Sequence, residues 1–130
     1  MKKQVIKTDQ AAAPVGAYSQ ALSAGPYVFV SGQIPLTAAG KLVEGDIVVQ
    51  TVQVLENLKA VLAAAGLTLN DVVKTTIFLA DLADFPEMNR VYGEFFPASP
   101  PARSTVQVAG LPRGVALEIE AVALKKAWPA

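Results

Sequence analysis

A chain of 130 residues suits one domain with a single core, and with 52% hydrophobic residues and a mean hydropathy of +0.39 it carries apolar surface enough to predict a subunit interface as well. Eleven basic side chains balance eleven acidic ones, so no positive field favours a nucleic acid. Cysteine and histidine are absent, which removes thiol nucleophiles, disulfides, Cys/His zinc sites and every histidine general base.

The opening "MKKQVIKTDQ" starts basic and turns polar at once, so no signal peptide is expected. The longest apolar patch, "AVLAAAGL" at 60–67, is too short to span a bilayer, and the expected location is the cytoplasm. Two short runs across 18–34 flank the breaker pair Gly25-Pro26 and predict a β-hairpin. A helix follows: Asp46 can cap it, Ile47, Thr51, Leu55, Leu58 and Leu62 recur at helical spacing, and Gly66 suits its end.

The β-branched run "VVKTTIFLA" at 72–80 predicts a strand. After it, Asp84 and Glu87 have capping-box spacing, with Pro86 in the first turn and Phe85, Met88, Tyr92 and Phe95 on one helical face. "RSTVQV" and "ALEIEAVAL" flank the loop "AGLPRGV" and predict a second hairpin. The order strand, hairpin, helix, strand, helix, hairpin makes an α+β domain over residues 1–130: a mixed six-stranded sheet with two helices on one face. The other face has no helix to cover it, and a partner subunit is the economical cover.

Alternation places Arg103, Thr105 and Gln107 on one face of their strand, and Glu118, Glu120, Val122 and Leu124 together on theirs. A hairpin register with Thr105 opposite Glu118 sets Arg103 opposite Glu120, with Glu118 on the diagonal at roughly 7–8 Å between Cβ atoms. Two accounts stand side by side. Arg103 and Glu120 can form a structural ion pair. Alternatively, Arg103 can fork onto a small anionic substrate while a spare carboxylate orients or deprotonates a water.

Other polar residues carry less. Ser31 precedes a glycine and has no histidine, and no nearby lysine, to activate it, so a hydrogen-bonding role is expected. Tyr18 reads as packing with its hydroxyl satisfied. Asn89 sits within the second helix, either bracing a nearby loop or solvated. Lys125-Lys126 reads as a solvated tail, and Arg90 and Arg113 as surface charges.

Taken in order, "PVGAYSQA", "VFVSGQIP", "VVKTTIFLADLADFPEMNRVYGEFF", "PARSTVQV" and "LEIEAVAL" resemble the RidA (YjgF) family of reactive-intermediate deaminases, from about Ile6 to Leu124. The resemblance implies a fold like that of trimeric chorismate mutase and a homotrimer with clefts between subunits. It implies hydrolysis of 2-imino acids such as 2-iminobutanoate and 2-iminopropanoate to 2-oxo acids and ammonia without a cofactor. The balanced charge, the short apolar patch and the missing cysteine and histidine separately predict no nucleic acid, no membrane and no metal. A ligand-binding or regulatory trimer, of translation-inhibitor or chaperone-like type, is the alternative within the same family.

Carried over by motif, Arg103 would clamp the substrate carboxylate and Glu118 would position water and handle protons. Tyr18 and Ser31 would line the pocket, Asn89 would support it, and the Thr105 backbone would meet substrate or water. Two departures stand out. Thr105 occupies a position where cysteine is common, and Ala17 replaces the usual proline before Tyr18.

Overall fold

The computed structural model describes residues 2–126. The chain runs through β1 (Gln4–Ile6), β2 (Ala21–Ala24), β3 (Tyr27–Gln33), α1 (Ile47–Ala64), β4 (Val72–Leu79), α2 (Phe85–Phe95), β5 (Ala102–Gln107) and β6 (Leu117–Leu124). The first hairpin forms as expected, with Ala24 opposite Tyr27 across Gly25-Pro26.

Local signals also define α1. Asp46 accepts a hydrogen bond from the Val49 N–H at 3.1 Å. At the other end Gly66 (φ +75°) donates to the Ala63 carbonyl and Leu67 to that of Leu62, the paired bonds of a Schellman stop. Ile47, Thr51, Leu55, Leu58 and Leu62 are all buried, joined by Val54 and Val61. Burying each large aliphatic side chain stabilises the fold by about 2 kcal/mol over leaving it exposed. At 18 residues α1 is long and apolar enough to cross a bilayer, longer than the patch at 60–67 suggests. Here that apolarity forms the core against β3 and β6.

The start of α2 differs from expectation. Asp84 already has helical backbone angles (φ −80°, ψ −6°), and its side chain bonds no backbone N–H, so no capping box forms. A 3-10 turn, Leu82–Asp84, runs straight into the helix, and Asp81 caps that turn by accepting from Ala83 at 2.9 Å. Met88 and Tyr92 are buried with Val91, while Phe85 and Phe95 are half-buried.

The sheet order is β1-β2-β3-β6-β4-β5. The predicted second hairpin does not exist, because β4 lies between β5 and β6. The crossover through α2 returns β5 parallel to β4, as a strand–helix–strand unit does. Residues 108–116 then carry the chain over β4 to its far side, a span longer than the roughly two- to five-residue loops of hairpins. Consequently β5 is an edge strand and β6 is central.

One face of this sheet meets the helices. Thr75, Ile77 and Leu79 of β4 lie beside Ala121, Ile119 and Leu117 of β6, and all are buried. The other face carries Phe29, Tyr27, Val106 and Leu124, each more than 40% exposed. The tail is less free than expected: the Lys125 N–H bonds the Pro26 carbonyl at 2.8 Å, and Lys126 pairs with Asp71 at 3.6 Å.

Candidate active site

The parallel register sets Arg103 beside Thr75, Thr105 beside Ile77 and Gln107 beside Leu79, so all three face the helices. In β6, Glu118 lies opposite Phe78 and Glu120 opposite Thr76, on the open face. The expected alternation within each strand therefore holds. The expected pairing across strands does not: Arg103 and the glutamates stand on opposite faces, and no ion pair joins them among the described residues.

Arg103 is instead held by α2. Its Nη1 donates to Asn89 Oδ1 at 2.8 Å. Its guanidinium carbon lies 5.4 Å from the Phe85 ring centre and 4.9 Å from that of Tyr92, within cation–π range. Tyr92 is itself anchored by a 2.7 Å hydrogen bond between its hydroxyl and that of Thr75. Burial pushes the Tyr92 phenol above its usual range, against the opposing pull of the Thr75 hydrogen bond and the Arg103 charge. The phenol therefore stays neutral. Nearby, Thr105 Oγ1 is buried with no hydrogen-bond partner among the described residues. A cysteine there would leave a much weaker polar group unpaired.

On the open face, Tyr18, Ser31, Gly32, Arg113, Glu118 and Glu120 line a cleft of about 600 Å³. A β-bulge shapes its floor. Val30 pairs with Ala121 and Gln33 with Ile119, so Ser31 and Gly32 together oppose Glu120 alone. Gly32 leaves the Glu118 carboxylate its place, since a Cβ there would overlap that carboxylate, fall 2.7 Å from its Cδ and displace the side chain. Burial raises the Glu118 pKa above the ordinary carboxylate range, and the neighbouring Glu120 raises it further. A carboxylate with a raised pKa is a better proton acceptor, as suits a group that would handle water.

Ser31 behaves as expected of a hydrogen-bonding residue. Its hydroxyl donates to the Ser19 carbonyl, and its N–H bonds that of Gln20 at 2.9 Å. Gln20 is buried and ties down the preceding loop, accepting from the Thr8 N–H at 2.8 Å and donating to the Ala12 carbonyl at 2.9 Å. Tyr18 is half-exposed rather than packed. Its turn closes without the usual proline: the Tyr18 N–H bonds the Gly16 carbonyl at 3.0 Å, and its hydroxyl accepts from Val15 at 3.3 Å.

The residues thus fall into two groups. Arg103, Asn89 and Thr105 stand with α2, while Glu118, Ser31 and Tyr18 stand around the open cleft. Sequence reasoning missed Phe85 and Tyr92 as neighbours of Arg103, although their spacing with Asn89 puts all three on one side of a helix. It also took Arg113 for a surface charge. Arg113 does sit exposed, but at φ +58° on the cleft rim.

Residues 8–125 match the family described as Endoribonuclease L-PSP. A RutC family protein of Pyrococcus horikoshii is 54% identical over 95% of this chain and 99% of its own. A mouse protein named 2-iminobutanoate/2-iminopropanoate deaminase is 46% identical over 95% of this chain and 92% of its own. Among solved structures, Escherichia coli TdcF with bound serine superposes with a TM-score of 0.91 at 44% identity, covering 95% of this chain and 99% of that one. RidA from a Psychrobacter species gives 0.90 at 46% identity, covering 94% and 99%.

Proposed function

From a chain that belongs to the Endoribonuclease L-PSP family, that of RidA and YjgF, we propose an enzyme that hydrolyses 2-imino acids and their enamine tautomers to 2-oxo acids and ammonia. Its substrates are 2-iminobutanoate and 2-iminopropanoate, the compounds named for the mouse relative. The observation that carries this reading is Arg103. It is a half-buried cation held by two aromatic rings and one amide, with no carboxylate partner among the described residues. A guanidinium so placed is suited to receive a carboxylate through two parallel hydrogen bonds.

The chemistry asks little else. A protonated imine carbon is electrophilic, so water adds to it without a covalent nucleophile. Glu118 orients that water and takes its proton, giving a carbinolamine. Its nitrogen is protonated and leaves as ammonia while the C2 hydroxyl becomes the carbonyl. Water is consumed and the 2-oxo acid is released. Holding the carboxylate and aiming the water supply much of the acceleration.

Arg103 and Glu118 occupy opposite faces of one sheet, so one chain cannot close a site around one small molecule with both. Copies of the chain can, if the edge strand β5 of one meets the open cleft of the next. The exposed Tyr27, Phe29, Val106 and Leu124 give such an assembly apolar surface to bury. A closed homotrimer, with sites between subunits, is the arrangement proposed.

The test generates 2-iminobutanoate in situ with an amino-acid oxidase and times the release of 2-oxobutanoate. Wild type accelerates release, and Arg103→Ala lowers kcat/KM by about 10- to 100-fold, the worth of a charged hydrogen-bonded pair. Release at the same rate with and without protein excludes the deaminase. The serine bound to TdcF favours a second reading, a site that binds small α-carboxylates without turnover. Saturable 2-oxobutanoate binding with no acceleration would select that regulatory trimer instead.

A further inference from the structure

The carboxylate clamp assigned to Arg103 rests on the functional reading above, but what holds that side chain is a separate matter. An exposed arginine samples many rotamers and loses side-chain entropy when fixed. Arg103 is already restricted before any ligand arrives. Its strand neighbour Thr75 bonds the Tyr92 hydroxyl, the Tyr92 and Phe85 rings lie within 5.4 Å of its guanidinium carbon, and Asn89 takes one N–H.

We infer that Phe85 and Tyr92 are positioning residues, an aromatic bracket that presets the Arg103 guanidinium for a planar carboxylate. Two further features agree. Phe85, Asn89 and Tyr92 recur on one side of α2, so a single helix supplies all three contacts. The amide oxygen of Asn89 accepts only one N–H, which leaves the rest of the fork for a ligand. Lysine could not replace Arg103 here, since it has neither a plane to lie against the rings nor a fork to hold a carboxylate.

The bracket predicts a pattern that plain helix packing does not. Phe85→Leu and Tyr92→Leu should each raise KM for the imine, and Kd for 2-oxobutanoate, by about 5- to 10-fold with kcat nearly kept. Tyr92→Phe keeps the ring and loses only the Thr75 hydrogen bond, so its KM should stay near wild type while its Tm falls. In an Arg103→Lys background the ring substitutions should raise Kd no further, because the fork they preset is gone.

Changes in Kd that add in full to that of Arg103→Lys would overturn the bracket, as would unchanged KM in both ring variants. Phe85 is only half-buried, so Phe85→Leu folds even if Tyr92→Leu does not. An NMR reading needs no ligand and no turnover. The Arg103 Nε–Hε signal of the free protein should be displaced by the rings and return toward the random-coil position in Phe85→Leu. A random-coil Arg103 signal in the wild type would sink the bracket even if the protein proved a deaminase. A displaced signal in a protein that neither bound nor hydrolysed its ligand would sink the deaminase alone.

Discussion

The two faces of the sheet are built on different terms. Under the helices, Thr75, Ile77, Leu117 and Ile119 are wholly buried, and the Thr75 hydroxyl is paired with that of Tyr92. The open face carries Tyr27 and Phe29 with ring centres 6.1 Å apart, and Val106 and Leu124, all partly in water. It also holds two carboxylates around a bulge, one of them pushed toward protonation. The covered face is finished by the chain itself, and the open face is not. Its apolar area and its half of the candidate site are both of use against a second surface.

The largest expected effect comes from charging the open face. Phe29→Glu and Leu124→Glu add a carboxylate to surface that the assembly would bury. Light scattering should report single chains in place of the assembly, and imine hydrolysis should disappear although neither residue lines the Glu118 cleft. An unchanged mass would show that this face is not the interface.

Next in size is Glu118→Gln, which removes the proton acceptor and should lower kcat by about 100-fold or more. The wild-type rate should fall in acid with an apparent pKa above that of an ordinary glutamate, since burial and Glu120 both raise it. The stability effect has the opposite sign. A carboxyl whose folded pKa lies above its unfolded value binds more protons in the folded state. Its ionisation therefore lowers stability as pH rises from the unfolded value through the folded one. Glu118→Gln should raise Tm at neutral pH, and the gain should vanish below the unfolded glutamate pKa. Thermal melts across that window decide it.

The smallest effect belongs to the covered face. Thr105 Oγ1 is buried without a partner among the described residues, so Thr105→Val should stabilise the fold by about 1 kcal/mol in urea unfolding. If the hydroxyl serves a bound carboxylate, KM rises severalfold in the same variant. An unaltered KM would leave Thr105 contributing through its backbone alone.

Residues whose cues are local were legible. Asp46 and Gly66 bound α1 as their types demand, and Gly25-Pro26 turns the first hairpin. The capping box was misplaced because the 3-10 turn before α2 brings Asp84 into helical conformation and passes the cap to Asp81. Arg103 and Glu118 were each placed with the right companions on their own strands, because alternation is local. Phe85 and Tyr92 were read only as an apolar helix face, because nothing local says that an arginine will lie against them.

By itself, the sequence determined the elements, the face on which each side chain leaves its own strand, and the absence of histidine and thiol chemistry. Alternation and helical period act over a few residues and require no knowledge of neighbours. Tertiary structure alone decided which strands adjoin and which face of each turns toward the helices. That choice follows from the crossover through α2, which sets β5 parallel to β4, and from residues 108–116, which carry β6 to the far side of β4. It is a contact between residues far apart in the chain, and it moved Arg103 from an imagined glutamate partner to the rings of Phe85 and Tyr92.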